Sequence, residues 1–168
     1  ANDDLIVENL DFREISPYLP VPSATYNIKV YPTGTMNGPV IDTEVYIPPN
    51  SVFNVAAIGN LPNISLYPIP EPSIAQESGN ACVRFVHLSP DAPAVDIQLE
   101  DGTIVFDDVS FKGITNYICI PADTYSFKVV PTGSNDVVLT VPDLMVNGNM
   151  YYTVYAVGLI GGSPNLEA

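Results

Sequence analysis

The stretch "TYNIKVYP" (Thr25 to Pro32) alternates, with Tyr26, Ile28 and Val30 on one side and Asn27 and Lys29 on the other. A period of two sends successive side chains to opposite faces of an extended chain, so this reads as a half-buried β-strand. "TYSFKVVP" (Thr124 to Pro131) repeats the pattern, setting Tyr125, Phe127 and Val129 against Ser126 and Lys128. The runs "CVRFVHL", "AVDIQL", "NYICI", "DVVLTVPDLMV" and "YYTVYAVGL" are rich in β-branched and aromatic residues, and clusters of Pro, Gly, Asn and Asp separate them. Asp101-Gly102 lies between two such runs and favours a tight hairpin. No segment carries a capped amphipathic pattern of helical period.

The chain also says much of this twice. "VPSATYNIKVYPTG" (Val21 to Gly34) returns as "IPADTYSFKVVPTG" (Ile120 to Gly133), and Phe12 and Phe111, Tyr18 and Tyr117, Tyr26 and Tyr125 are each 99 positions apart (111 − 12 = 99). "FNVAAIG" and "YTVYAVG" keep the same offset without a gap. Matched aromatic, Pro and Gly positions over such a length indicate duplicated modules, because each of these residues has a particular packing or turn role. The expectation is an all-β protein of two tandem immunoglobulin-like antiparallel β-sandwich modules, each of six or seven short strands, with the strand order left open. Residues 1–70 form the first module, 71–80 a Pro-containing linker and 81–168 the second module. Pro68 and Pro70 suit an edge strand that closes the first module.

The first copy lacks its opening strands. The counterpart of "ACVRFVHLSPDAPAVDIQLEDG" (Ala81 to Gly102) would end at position 3 (102 − 99 = 3) and begin before Ala1. A sandwich without two of its strands exposes apolar surface and open strand edges. The expected partners are therefore other protein chains, through self-association in which a neighbouring copy inserts a strand into the first module, or a severed N-terminal piece that stays bound. Of equal standing is the reading that the chain, which does not begin with Met, is a piece of a longer polypeptide that holds those strands.

Charge narrows the function classes. With 5 Lys and Arg against 19 Asp and Glu, the net charge of −14 repels phosphate backbones and anionic headgroups, which argues against nucleic acid as a partner. No run approaches the roughly 18–20 apolar residues of a membrane helix, so no membrane insertion is expected. The two cysteines, Cys82 and Cys119, allow a single pairing, and both lie in β-like runs where a cross-strand disulfide fits. The competing reading, two buried thiols acting as small hydrophobes, is favoured by Pro20, which stands at the Cys119 position of the first copy.

From "RFVHLSPDAPAVDIQLEDG" onward, the second copy resembles the bacterial and archaeal extracellular family called domain of unknown function 4397. The resemblance rests on His87, Ser89, Pro90, Asp91, Ala92, Pro93, Ala94, Val95 and Asp96, with Leu88 in place of the usual small residue. It implies an immunoglobulin-like sandwich, usually in tandem, on secreted or cell-surface proteins, sometimes of spore-forming bacteria. It carries no established activity and no catalytic residues.

His87 is the only histidine, and no nucleophile elbow or zinc motif accompanies it, so an enzyme is not expected. His87, Ser89, Pro90, Asp91 and Pro93 read as a structural turn, with the imidazole bonded to the backbone. Asp91 and Asp96 are weak Ca²⁺ candidates because their spacing is not that of a Ca²⁺ loop, and no cofactor is implied. Tyr31, Tyr46 and Tyr151 are candidates for stacking on a sugar. The sequence reading is thus a non-enzymatic extracellular spacer, coat component or fibre-forming unit, with a glycan- or Ca²⁺-binding module as the alternative.

Overall fold

The structure, a computed structural model, describes residues 4–75 and 78–168. Among these residues there is no helix, and eleven strands account for the regular structure. The chain divides into two compact units, Ala1–Pro72 and Ser73–Ala168. Of the expected linker 71–80, Gln76 and Glu77 lie outside the described residues, and Asn80 already belongs to a strand.

The second unit is a complete two-sheet sandwich. Its strands are β5 (Asn80–His87), β6 (Val95–Leu99), β7 (Ile104–Val109), β8 (Ile118–Pro121), β9 (Asp123–Pro131), β10 (Leu139–Val146) and β11 (Tyr151–Ala156). One sheet has the order β10-β9-β6-β7 and the other β11-β5-β8. Phe85, Val95, Ile97, Phe106, Val109, Phe127 and Val129 fill the space between them. The predicted alternation of β9 holds there: Phe127 and Val129 are buried in this core and Tyr125 packs against it. Lys128 is half-buried, and its Nζ donates to the Glu100 carbonyl oxygen at 3.1 Å.

The expected hairpin forms between β6 and β7. Leu99 N–H donates to the Thr103 carbonyl, Gly102 N–H to the Leu99 carbonyl, and Thr103 N–H to Asp101 Oδ1. One pairing departs from the antiparallel expectation, because β11 runs parallel to β5, from Tyr151 beside Cys82 to Ala156 beside His87. Local pattern cannot encode this pairing, since it joins the first and last strands of the module. β5 is therefore central in its sheet, and seven of its eight residues are buried. Burial on both faces is the reason "ACVRFV" reads as an almost continuous apolar run rather than an alternating one.

The first unit is simpler. β1 (Ala24–Val30) pairs antiparallel with β2 (Ile41–Ile47), and β3 (Phe53–Ile58) with β4 (Ser65–Pro70), as two separate two-stranded sheets. β4 carries Pro68 and Pro70 and pairs with β3 alone, as an edge strand should. Among the described residues four strands form here, fewer than the six or seven expected of a complete module. At the offset of 99, β1, β2 and β3 correspond to β9, β10 and β11. Residues 5–10 and 19–22, the counterparts of β7 and β8, form no strand.

The pairing scheme of the second unit explains the difference. There β7 pairs with β6, and β8 pairs with β5. At the same offset β5 and β6 map to positions before residue 1 (99 − 99 = 0). β9 and β10 pair with each other, so their equivalents survive as a hairpin.

The duplication shows in local detail as well. Tyr26 Oη donates to the Pro22 carbonyl at 2.7 Å, and Tyr125 Oη to the Pro121 carbonyl at 3.0 Å, the same bond from tyrosine back to the turn that feeds its strand. Gly59 and Gly158, also 99 apart, both have positive φ. In each case a main-chain carbonyl oxygen, of Asn63 or Asn165, stands where a Cβ would go, so only glycine fits.

Candidate functional site

The conspicuous polar residues of the sequence meet where β5 ends and the chain turns into β6. His87 is the last residue of β5 and is buried. Its Nδ1 accepts a hydrogen bond from Ser89 N–H at 3.3 Å, so the ring proton sits on Nε2, which donates to the Pro93 carbonyl at 3.1 Å. The His87 main chain is tied down too, its N–H donating to the Gly113 carbonyl and its carbonyl accepting from Lys112 N–H. The Phe111 ring meets the imidazole edge-on at 6.4 Å.

Ser89 is fully buried, and its hydroxyl donates to Asp91 Oδ1 at 3.2 Å. The same oxygen accepts Ile160 N–H at 3.0 Å, which fastens the turn to the loop after β11. Asp96 does similar work one strand later, where its buried Oδ1 accepts Asp108 N–H at 2.9 Å and the Thr132 hydroxyl at 2.8 Å. The expected structural turn is what these residues build. His87, Ser89 and Asp91 share the residue types of a hydrolytic triad but not its wiring. Both ring nitrogens are engaged with the main chain, and the serine hydroxyl is bonded to the carboxylate.

The first Ca²⁺ candidates, Asp91 and Asp96, thus direct carboxylate oxygens at hydrogen-bond donors of the fold. Among the described residues, no three His, Cys, Asp or Glu side chains converge to hold a metal ion. The tyrosine candidates stand apart in role: Tyr46 is exposed on β2, and Tyr31 is half-buried after β1. Tyr151 packs edge-on against Tyr117 and donates to the Ile74 carbonyl.

The two cysteines are bonded. Cys82 and Cys119 stand directly opposite in the β5–β8 register with their Cα atoms 4.0 Å apart, which corrects the expectation of free buried thiols. Pro20 is a poor guide, because among the described residues no strand of the first unit lies beside it as β5 lies beside β8.

Sequence reasoning also passed over Arg84. This arginine is buried in β5, its guanidinium 4.9 Å from the centre of the Tyr117 ring and its Nε donating to Thr153 Oγ1 at 3.0 Å. A lone cation inside the apolar run "ACVRFV" was the available signal, since a charge there requires partners.

Burial holds the His87 imidazole below its ordinary value of 6.5, outweighing the bond to Pro93, which acts the other way. A folded pKa below the unfolded one gives a contribution that is complete above the unfolded value and is lost as pH falls from there through the folded value. The melting temperature of the second module is therefore expected to decline as pH drops below about 6.5, and His87→Gln to flatten that part of the profile. An identical slope in the variant would assign the decline to another group. Asp91 is held below its ordinary 3.8, chiefly by the Ile160 N–H, so its contribution is lost in a lower and separable window.

Fold and turn together define a class: an all-β, two-sheet module locked by a His-x-Ser-Pro-Asp-Ala-Pro turn at the end of its first strand. The chain belongs to the family described as domain of unknown function (DUF4397), whose model matches residues 1–98 and 99–168. No curated protein matches the chain.

Proposed function

We propose that the chain is a non-enzymatic structural and interaction segment of a secreted or cell-surface bacterial protein, serving as a spacer, coat component or fibre-forming unit. The observation that carries this reading is the use made of the polar turn. His87, Ser89, Asp91 and Asp96 spend their hydrogen bonds on the module itself. Among the described residues, no buried side-chain nitrogen or oxygen lacks a partner. A reacting or binding site would hold polar groups in reserve for its ligand.

The Cys82–Cys119 bond supports the extracellular assignment, because structural disulfides persist in oxidising compartments and are rare where thiols are kept reduced. The acidic surface suits the same setting by keeping the protein soluble and repelling anionic polymers.

Thermal melting with and without millimolar Ca²⁺, and against a glycan panel, tests the reading. A ligand that binds only the folded state must raise the midpoint. No shift is expected, and a reproducible rise with any of them would favour the ligand-binding alternative.

A further inference from the structure

The step Asn-Gly occurs twice in the chain, at Asn37-Gly38 and at Asn147-Gly148. Glycine has no side chain to shield its main-chain nitrogen, so at this step the nitrogen most easily reaches the carboxamide of the preceding asparagine. The fold treats the two places differently. Asn37 lies exposed in the connection between β1 and β2. Among the described residues its carboxamide makes no hydrogen bond, and neither does the Gly38 N–H. No atom stands within 4 Å of the place where a Cβ on Gly38 would go.

Asn147, by contrast, is fastened. Its main-chain N–H and its Nδ2 both donate to Tyr152 Oη, at 2.9 and 3.3 Å. Gly148 packs so closely on Gly79 that the Gly79 carbonyl oxygen would stand 2.6 Å from an added Cβ. The next residue, Asn149, donates its N–H to the Asn80 carbonyl at 2.7 Å and accepts Gly79 N–H on Oδ1 at 3.1 Å. Carboxamide and nitrogen cannot close on each other there until such bonds break.

The duplication indicates what the first connection tolerates. At the offset of 99, Asn37 corresponds to Asp136 and Thr35 to Ser134 (136 − 37 = 99). The turns before them match, with Thr35 N–H donating to the Pro32 carbonyl at 3.1 Å and Ser134 N–H to the Pro131 carbonyl at 2.9 Å. The Ser134 hydroxyl donates to Asp136 Oδ2 at 3.2 Å, so the second copy already seats a carboxylate at this place. Thr35 offers the equivalent hydroxyl, which donates to the Asn37 main-chain carbonyl at 3.5 Å.

We propose that Asn37 is a site of spontaneous deamidation, where a neutral carboxamide becomes a carboxylate. The Gly38 nitrogen attacks Asn37 Cγ, and the new N–Cγ bond forms as the Cγ–Nδ2 bond breaks. The proton lost from the Gly38 nitrogen leaves with Nδ2 as ammonia. The resulting five-membered imide takes up water at either of its carbonyls and opens to aspartate or isoaspartate. Water is the sole co-reactant, nothing is oxidised or reduced, and the placement of both groups on one chain supplies the rate. The first connection thereby gains a negative charge where the second copy has one, on a chain of net charge −14.

The test incubates the whole chain in mildly alkaline buffer, either folded or in urea with a thiol reductant. Peptide mass mapping, with fragmentation that separates aspartate from isoaspartate, follows both sites. In the folded chain Asn37 is expected to convert, and Asn147 to do so about tenfold or more slowly, because its two hydrogen bonds must break first. In urea the two sites should convert at similar rates, since glycine follows both. Tyr152→Phe should quicken Asn147 in the folded chain and leave Asn37 as it was. Asn37→Asp, which mimics the product, is expected to unfold at the parent's urea midpoint. An intact Asn37 in the folded chain, an Asn147 that converts as fast, or the same ratio of rates in urea as in the folded state would each overturn the proposal.

Discussion

Phe127→Ala is expected to lower the unfolding free energy of the second module by about 3–5 kcal/mol, while Ile28→Ala, at the equivalent place in the first copy, costs about 1.5 kcal/mol or less. Both residues occupy the inward face of the strand that follows the repeated turn. Phe127 is buried among Val95, Ile97 and Val129 and stacks on Tyr125 at 6.1 Å. Truncation there leaves a cavity that two packed sheets cannot close. Ile28 is half-buried on a two-stranded sheet, so water replaces the lost methyl groups at smaller cost. Lys128→Ala, one residue along and on the other face, should change stability by about 0.5 kcal/mol or less. Urea unfolding followed by circular dichroism measures all three. Equal costs for Phe127 and Lys128 would mean that β9 faces the opposite way, and equal costs for Phe127 and Ile28 would mean that the first unit buries its strand as fully as the second.

The alternation of Tyr125, Phe127 and Val129 was legible because a strand's two faces are written into adjacent residues. The β6–β7 hairpin was legible because Asp101-Gly102 meets a local backbone requirement. The same holds for the turn at His87, whose partners Ser89, Asp91 and Pro93 lie within six residues. Three things were not legible, and each depends on groups far apart in the chain. The parallel pairing of β5 with β11 joins residues about seventy positions apart. The anchoring of Asp91 to Ile160 spans a similar distance, and no side chain at position 160 announces it, because the donor is a backbone N–H. The failure of residues 5–10 and 19–22 to form strands is of another kind. Their sequence matches that of true strands, but a strand's backbone groups need a neighbour to bond to, and local pattern does not say whether that neighbour is there.

The same dependence on a partner strand governs the disulfide, whose loss gives the second large effect. Replacing Cys82 and Cys119 together by alanine should destabilise the second module by about 3–4 kcal/mol, the loop-closure entropy returned to the unfolded chain for a sequence separation of 37. For a domain of this size, such a loss lowers the melting midpoint by roughly 12–30 °C. The effect should concentrate at β8, a four-residue edge strand whose one sheet neighbour is β5. Its few ladder bonds are weak by themselves, and the covalent link keeps them in register. Amide exchange at Ile118–Pro121 is therefore expected to quicken first, while the first unit, which contains neither cysteine, keeps its own profile. Reduction of the unmodified protein should reproduce the shift without the change in side-chain volume. An unchanged midpoint and unchanged protection of β8 in both experiments would show that the sandwich closes on packing alone, and the disulfide would then cease to support an oxidising compartment as the place where this module works.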